Sequence, residues 1–508
     1  MERKKLLLLL STLYFILPFL LQDSLYEPHR DEMLYLAEGL HPAWGYMEVP
    51  PLLSFFAWIT HLLPAHLFFV KCWPALLGAA TFYICGRLII QQKGNNYALI
   101  LLWLSFVFCA YLRMFFLFQP NAPEIFFWTV LGATLIEYRQ TQNYKWLYFF
   151  GIAAGLGMMS KYSVAFYITS LIIAVLLSQE RKSILGNKHF YIASTIGLLI
   201  FLPNLYWQYT HHFPVVFHMK ELQQSQLQYI SPKVFIVDQI IMFLPCIFVV
   251  VAGLISLFFL DSFKKFLFIA IAFIVVQILL LLGHGKSYYA AGAYPLLLAF
   301  GVLAFQRLSK AINIGMLAYL LAIGIIMVPI LLPVAKPEKL QQYYMYFPFL
   351  KPLLVWEDLQ IHPLPQDFSD MLGWEEITQK VAKAYHSLPK EEQAKTFIFC
   401  NQYAMSGALT YFGPKYQLPE VYSDNASFLY WIPKKVNVKN FILVCDDPTE
   451  LQRPYIQFFK NARFTDSLTN PFAREKGQRV MLATGADARF NEMFEKKIKD
   501  DYIEMGYK

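Results

Sequence analysis

The stretch RKKLLLLLSTLYFILPFLLQDSLYEPHRDE, residues 3–32, decides the fold class of this chain. Three basic residues precede a run of sixteen uncharged, mostly apolar residues (6–21), and an acidic segment follows that run. The order resembles a signal peptide, but no small-residue cleavage site follows, so we expect a retained first membrane span. The basic end then lies in the cytoplasm and the acidic segment lies outside.

The composition of the 508-residue chain also indicates a membrane protein. The chain is 57% hydrophobic and 15% charged, whereas a soluble globular protein carries about 25% charged residues. Intrinsic disorder is excluded, because it requires low hydrophobicity and high charge. Ten further apolar stretches are of spanning length or close to it, which predicts about eleven transmembrane helices. They lie near residues 67–90, 97–117, 121–139, 145–159, 162–178, 189–208, 235–259, 264–283, 288–306 and 312–332.

The positions of Lys and Arg predict the orientation. Before residue 334 the chain has 21 basic residues, and 14 of them lie in alternating loops on the side of the N-terminus. By the positive-inside rule these loops are cytoplasmic, and an odd number of spans places the C-terminal part outside. The formal net charge of +8 belongs to this membrane part, because residues 334–508 carry 22 basic and 22 acidic residues. The charge therefore indicates topology and not nucleic-acid binding.

The last third of the chain has the composition of a soluble protein. We divide the chain into a transmembrane domain (1–333), a Pro- and Tyr-rich linker (334–365) and an extracytoplasmic domain (366–508). Short apolar strands alternate with helices in the last of these, which predicts a small α/β domain. Cys400 and Cys445 each end a strand and could form a disulfide or remain buried thiols. The predicted strands are 396–400, 441–445 and 479–483, and the predicted helices are 374–386, 402–412 and 448–461.

Ionisable residues beside the spans gather on the predicted outer side, and in a membrane protein such residues are functional candidates. The first outer loop is the richest, with the adjacent pair Asp31 and Glu32 and, further along, Glu48. Such a pair, held against the bilayer surface, could supply a general base. We expect Glu27 and Glu38, in the same loop, to be solvated.

Two lysines lie on the outer side, against the positive-inside bias. Lys161 follows a helix face of small residues that starts at Gly151, and Lys286 lies in the segment 283–289. Either side chain could simply extend to the membrane interface. Their position also fits a polyanionic ligand such as a lipid-linked phosphate. Three histidines in the fourth outer loop have no metal-site spacing, and we predict neither a metal nor a cofactor. They are the histidines at positions 211, 212 and 218.

Five short motifs follow one another along the membrane part. They are Asp31-Glu32-x-x-Tyr35, the segment 46–52 (YMEVPPL), Phe118-Gln119-Pro120-Asn121-x-x-Glu124, Ser160-Lys161-Tyr162, and Lys286-Ser287-Tyr288-Tyr289. Their order resembles that of the bacterial protein O-mannosyltransferase and lipid A aminoarabinose transferase superfamily, the family 39/83 type of membrane glycosyltransferase with the GT-C fold. Segments 365–375 and 403–414 resemble the extramembrane domain of a bacterial branch of family 39.

The resemblance implies an all-α polytopic GT-C protein with a small soluble α/β domain, located in the cytoplasmic membrane. It implies a polyprenyl-phosphate-linked sugar as the donor, transferred with inversion to an acceptor hydroxyl on the outer face. The acceptor (lipid A, another glycan, a lipid or a protein) stays open, and the partners are the donor, the acceptor and membrane lipid.

The resemblance also implies roles for single residues. Asp31 is the general base, with Glu32 beside it as a second catalytic candidate. Relatives usually have Asp where Glu124 stands, and Asn121 is a rival for that position. Val49 stands where the aminoarabinose-transferring relatives have Lys, which puts aminoarabinose in doubt and leaves phosphate binding to Lys161, Lys286 or Arg113. The implied donor-binding residues are Glu48, Asn121, Glu124, Lys161, Lys286, Tyr288 and Tyr289.

Two other functions fit part of the sequence. A transporter or flippase of a lipid-linked or anionic substrate would also be polytopic, but it should show paired broken helices and ionisable residues near the middle of the bilayer. This chain shows no such symmetry, and its charges gather at one surface. A degenerate relative acting as a scaffold is suggested by Asn121, Glu124 and Val49, and Asp31 argues against it.

Overall fold

The structure of the chain is a computed structural model that describes residues 2–64 and 66–504. Helices make up most of the part before residue 334. All eleven predicted stretches contain helix. The principal helices of this part are α1 (Arg3–Leu21), α2 (Arg30–Leu40), α3 (Leu52–His61), α4 (Leu67–Gln91), α5 (Asn96–Val107), α6 (Asn121–Thr141), α7 (Lys145–Met158), α8 (Val164–Leu177), α9 (Lys188–Thr210), α10 (Pro214–Ser225), α11 (Pro232–Met242), α12 (Ile247–Phe259), α13 (Leu267–Leu282), α14 (Tyr294–Phe305) and α15 (Lys310–Leu331).

Five helical segments in the described residues are long and apolar enough to cross a membrane: α1, α4, α9, α15 and the segment Ser287–Phe305, which ends with α14. The pair formed by α11 and Leu244–Phe259 is a sixth candidate, bent by 73°. Four shorter apolar helices, α3, α5, α8 and α13, have 10–17 residues. The chain is therefore membrane-embedded, while the number of eleven spans and their orientation stay predictions.

Two of the predicted spans are interrupted. The stretch 97–117 is not one helix, because α5 ends at Val107 and a short helix, Tyr111–Met114, follows. The stretch 235–259 breaks after α11, where Pro245 has no N–H to continue the helical hydrogen bonds. The two breaks meet, since the N–H of Ala110 donates to the carbonyl of Met242 at 2.9 Å. This bond joins backbone groups that the helix ends leave without a helical partner.

The small-residue face before Lys161 packs against a neighbouring helix, as its composition indicated. A Cβ placed on Gly151 would lie 2.1 Å from the carbonyl oxygen of Ala193 in α9. Only glycine permits this approach of the two backbones, and close packing of this kind is typical of membrane helices. The contact fixes the end of α7, from which the chain leads to Lys161.

The C-terminal part contains a five-stranded mixed sheet. Its strands are β1 (Thr396–Cys400), β2 (Val421–Tyr422), β3 (Asn440–Cys445), β4 (Asn461–Ser467) and β5 (Arg479–Thr484). They lie in the order β2-β1-β3-β5-β4. Strand β1 pairs in parallel with β2 and β3, whereas β5 is antiparallel to β3 and β4. All three predicted strands are present, and β2 and β4 are additional. The longer helices of this part are α16 (Pro337–Tyr346), α17 (Trp374–His386), α18 (Tyr403–Phe412) and α19 (Ala488–Glu504).

One predicted helix of this part is wrong. Residues 448–461 form two 3₁₀ turns, Glu450–Gln452 and Pro454–Phe458, before β4 begins. Pro454 accounts for the break, because it disfavours helical conformation in the residue before it. Cys400 and Cys445 are buried free thiols, so the second of the two alternatives for this pair holds.

The predicted first outer loop, which lies between α1 and α4, anchors the C-terminal part to the membrane part. The Glu27 carboxylate accepts the backbone N–H groups of Trp374 at 2.7 Å and Glu375 at 2.9 Å, so it caps the N-terminus of α17. Burial raises the pKa of Glu27 to about 7. Glu38 is also buried and accepts the Ser54 hydroxyl. The expectation that both glutamates are solvated is therefore wrong.

The segment between the two parts is packed rather than extended. It contains α16, whose Leu340 and Tyr344 are buried in the same apolar cluster as Tyr26 and Met33 of the first outer loop. The cluster continues into the C-terminal domain, so the two parts share a core. The domain limits stay predictions, and residues 505–508 of the last domain lie outside the described residues.

Candidate active site

A cavity of about 430 Å³ lies where the first outer loop, the start of α6, the segment 286–289 and the C-terminal domain meet. It is lined on one side by the membrane part and on the other by residues of the C-terminal domain, among them Tyr403 and Asn425. Glu32 and Glu124 do not line it. The predicted site residues that do are Asp31, Glu48, Asn121, Lys161, Lys286, Tyr288 and Tyr289.

Asp31 lies in the first turn of α2, and the N-cap of this helix fixes its backbone. The ring Nδ1 of His29 accepts the Asp31 N–H at 3.2 Å, and the Glu32 carboxylate accepts the His29 N–H at 2.6 Å. The Asp31 side chain is 35% exposed. Its Oδ1 accepts the Tyr403 hydroxyl at 2.8 Å and its Oδ2 accepts Nε2 of Gln119 at 3.1 Å. The carboxylate is thus held at both oxygens while it faces the cavity.

Glu32 points away from the cavity into the protein. Both of its carboxylate oxygens lie 2.6 Å from Nζ of Lys71 in α4, and both side chains are 0% exposed. Glu32 also accepts the backbone N–H of Phe118. These contacts tie α2 to α4 and to the segment before α6, so Glu32 has the surroundings of a structural residue that supports Asp31.

Lys71 was not among the sequence candidates. It lies four residues after the start of the predicted span 67–90. A single lysine so close to the end of a span is usually interpreted as a side chain that extends to the membrane interface. A charge inside an apolar run is nevertheless a signal in its own right, because it requires a partner. That signal could have predicted a buried ion pair, although not that the partner is Glu32.

Lys161 is held by the two residues that competed for one position in the family pattern. Its Nζ donates to Oδ1 of Asn121 at 2.8 Å and to Oε2 of Glu124 at 2.7 Å. Glu124 also accepts the hydroxyl of Ser163. The ammonium lies 4.5 Å from the ring centre of Tyr289, a cation–π contact. Asn121 and Glu124 thus contact the same lysine, and which of them stands at the acidic position of the family pattern stays a prediction.

Lys286 donates to a neutral amide, whereas Lys161 donates to a carboxylate. Nζ of Lys286 donates to Oε1 of Gln226 at 2.5 Å, and it forms no ion pair with any of residues 2–64 and 66–504. Burial lowers the pKa of Lys286. Arg113, the third candidate for phosphate binding, does not line the cavity and instead pairs with Asp367 at 2.7 Å. The geometry therefore leaves Lys161 and Lys286 as the cations of this cavity.

Glu48 joins the first outer loop to the C-terminal domain at the edge of the cavity. Its carboxylate accepts the Ser427 N–H at 2.9 Å and the Ser427 hydroxyl at 2.6 Å. Burial raises the pKa of Glu48, although the bonds from Ser427 and the nearby His218 oppose the shift. Ala426, just before Ser427, has a φ of +58°, which is strained for a residue with a Cβ. No local pattern in the sequence indicated Ser427.

Among residues 2–64 and 66–504, one group of side chains could hold a metal ion by geometry alone. The side chains of His29, Asp367 and Asp370 have donor atoms within 4.8 Å of one another. Each carboxylate already faces a guanidinium, since Asp367 pairs with Arg113 at 2.7 Å and Asp370 with Arg474 at 3.2 Å. Burial raises the pKa of Asp370 to about 6. Ion pairs account for this group, which does not line the cavity.

Comparisons with known proteins agree with the fold. Residues 48–207 match the family model described as dolichyl-phosphate-mannose-protein mannosyltransferase. Crystal structures of ArnT from Cupriavidus metallidurans, bound to undecaprenyl phosphate and in the apo state, are similar with TM-scores of 0.61 and 0.60. Their identities are 14% and 13%, and each alignment covers 94% of this chain and 97% of that chain.

A more distant match is the S. cerevisiae protein O-mannosyltransferase Pmt1-Pmt2 complex bound to the sugar donor. It is 17% identical over 42% of this chain and 34% of that chain, with a TM-score of 0.34. No curated protein matches significantly. The family model and the ArnT-like fold confirm the predicted resemblance to the GT-C superfamily.

Proposed function

We propose that this chain, a membrane protein with the GT-C fold, is a glycosyltransferase that uses a polyprenyl-phosphate-linked sugar. The observation that carries the proposal is the cavity in which the Asp31 carboxylate faces the same space as Lys161 and Lys286. Activation of a hydroxyl and stabilisation of a phosphate leaving group need these two kinds of group. The undecaprenyl phosphate bound to the similar ArnT supports a lipid of this class as the partner.

In the proposed reaction Asp31 takes the proton of the acceptor hydroxyl as its oxygen attacks the anomeric carbon of the sugar. The bond from that carbon to the phosphate oxygen breaks, and its electron pair leaves with the polyprenyl phosphate. Attack from the face opposite the leaving group inverts the anomeric carbon. Lys286 and Lys161 stabilise the negative charge of the departing phosphate.

Other residues in the cavity or directly behind its lining shape the donor site. Asn121 and Glu124 hold the Lys161 ammonium in place before any ligand arrives, which lowers the cost of organising it in the transition state. Tyr288 and Tyr289 place their rings beside that ammonium. Glu48, held by Ser427, shapes the opposite edge. The distribution of basic loops in the sequence supports a reaction on the outer face of the cytoplasmic membrane.

Replacement of Lys286 by alanine is expected to weaken use of the donor. A hydrogen bond to a charged group contributes roughly 1.5–3 kcal/mol, so kcat/KM for the donor should fall about 10- to 100-fold. Lys161→Ala should have an effect of similar size, but it also leaves the Glu124 carboxylate without its cation. The double variant Lys161→Ala with Glu124→Gln removes that carboxylate charge, so it reports the loss of the lysine alone. The measurement is donor consumption at several donor concentrations by purified protein.

Lys310→Ala is the matched control for the lysine variants. Lys310 is exposed at the start of α15 and does not line the cavity, so its loss should leave the kinetics unchanged. If Lys286→Ala and Lys161→Ala both behave like Lys310→Ala, the donor phosphate binds elsewhere.

A further inference from the structure

We propose that Tyr403, which belongs to the C-terminal domain, is a positioning residue for Asp31, so that this domain completes the active site. The inference rests on the proposed function, because it concerns the carboxylate that acts as base there. Tyr403 and Asp31 are 372 residues apart in the chain, and the hydroxyl donates to Oδ1 of Asp31 at 2.8 Å. Tyr403 and Asp31 both line the cavity.

The hydroxyl of Tyr403 is a donor under all ordinary conditions. Burial and the neighbouring Asp31 carboxylate raise the pKa of Tyr403 well above its usual value, so the phenol keeps its proton. A phenol that donates to a carboxylate forms a charge-assisted hydrogen bond, which is shorter and stronger than one between neutral groups. The bond therefore stabilises the charged form of Asp31 and limits rotation of its side chain.

The position of the Tyr403 hydroxyl is itself tightly determined. Tyr403 is the first residue of α18, and its N–H donates to Oδ1 of Asn425 at 3.2 Å. The Arg30 guanidinium lies 5.3 Å from the centre of its ring. Further along α18, a Cβ on Gly407 would lie 2.6 Å from the backbone carbon of Met33 in α2. The two helices are thus in direct backbone contact, and that contact fixes the distance from the phenol to the carboxylate.

Each of the two hydrogen bonds holds one oxygen of the Asp31 carboxylate. Gln119 from the membrane part holds Oδ2, and Tyr403 from the C-terminal domain holds Oδ1. With both oxygens held, the carboxylate keeps one orientation at the cavity, and each oxygen can still accept a bond from an acceptor hydroxyl there. If Tyr403 is lost, the carboxylate can turn, and its charged form is less stable. The other titratable and charged groups near Asp31 are His29, Arg30, Tyr35, Lys286 and Tyr288.

Tyr403→Phe tests the proposal, because it removes only the hydroxyl. We expect kcat to fall about tenfold with an unchanged donor KM, since the base is present but less well oriented. We also expect the acidic limb of the pH–rate profile to move to higher pH, because the charged carboxylate loses a stabilising hydrogen bond. Tyr411→Phe is the matched control. Tyr411 lies on the same helix, and its hydroxyl forms no hydrogen bond within the described part of the chain, so this variant should behave as wild type.

A second substitution keeps the test decisive if Tyr403→Phe is unstable. Site-specific 3-fluorotyrosine at position 403 keeps the shape of the ring and makes the hydroxyl a stronger donor. The acidic limb should then move to lower pH, which a purely structural role for the ring does not predict.

The outcomes separate this proposal from the proposed function. Wild-type protein that consumes no donor would overturn the proposed function. Active wild-type protein with Tyr403→Phe unchanged in both kcat and pH profile would overturn only the role of Tyr403. A rise in donor KM alone would also overturn it, because Tyr403 would then contact substrate instead of orienting Asp31. A lower kcat together with the shifted acidic limb supports it.

Discussion

Asp31→Asn is expected to lower glycosyl transfer by about a thousandfold, within the range by which a positioned general base accelerates a reaction. The amide has the shape of the carboxylate but cannot take a proton from the acceptor hydroxyl. Asp31 is partly exposed at the cavity. Its carboxylate contacts a hydroxyl, an amide and, at 3.9 Å, the ring of His29, whose Nδ1 accepts the Asp31 N–H, so folding should change little. The measurement is the rate of product formation by purified wild-type and variant protein at saturating donor.

Asp23→Asn is the control for this variant. Asp23 belongs to the same outer loop, accepts the N–H of Leu25 at 3.0 Å and does not line the cavity. Its replacement should leave the rate within about twofold of wild type, since surface substitutions of this kind cost little. Transfer by Asp31→Asn at the wild-type rate would show that Asp31 is not the base. If Asp31→Asn does not fold, the same rates are measured for Asp31→Glu and Asp31→Ser.

The second large effect is expected at Lys71. Lys71→Met leaves the Glu32 carboxylate without its cation in a site where both side chains are 0% exposed. Breaking a buried ion pair by removing one partner destabilises a protein by about 3–5 kcal/mol. The measurement is the fraction of detergent-solubilised protein that stays monodisperse after heating to a series of temperatures. We expect a lower midpoint temperature for Lys71→Met than for wild type.

The double variant Lys71→Met with Glu32→Gln is the partner experiment. The double variant has no uncompensated buried charge, so it should recover part of the loss. Recovery should be incomplete, because a glutamine amide at position 32 can accept only one of the backbone N–H groups of His29 and Phe118. It also tests the role of Glu32. If Glu32 only supports the fold, the folded double variant keeps substantial activity. If Glu32 is catalytic, the folded double variant is inactive. A single variant as stable as wild type would contradict the ion-pair account.

Hydropathy and charge were sufficient to predict a membrane-embedded helical part and a small α/β domain. The breaks after Val107 and Met242 could not be predicted from apolar content. The break after Met242 coincides with Pro245, whereas the break after Val107 has no such signal in the sequence. The two breaks are joined by the hydrogen bond from Ala110 to the carbonyl of Met242. Strand β2 has only two residues and β4 carries a polar pattern, so neither gave a periodic signal.

The site could be predicted in part, because the ionisable residues gather on one side of the spans. The adjacent pair Asp31 and Glu32 was interpreted as one unit, yet successive residues of a helix point about 100° apart. One side chain therefore faces the cavity and the other faces the interior. The partners Lys71 and Tyr403 lie far away in the sequence, and only the packing of α4 and α18 against α2 brings them close.

The most direct test of the account is donor consumption by purified protein given a panel of polyprenyl-phosphate sugars. We expect wild-type protein to consume one of these donors and release the polyprenyl phosphate, and Asp31→Asn to consume none at a comparable rate. Consumption of no donor on the panel, equal consumption by Asp31→Asn, or movement of an intact donor across a vesicle membrane would contradict the proposed glycosyltransferase.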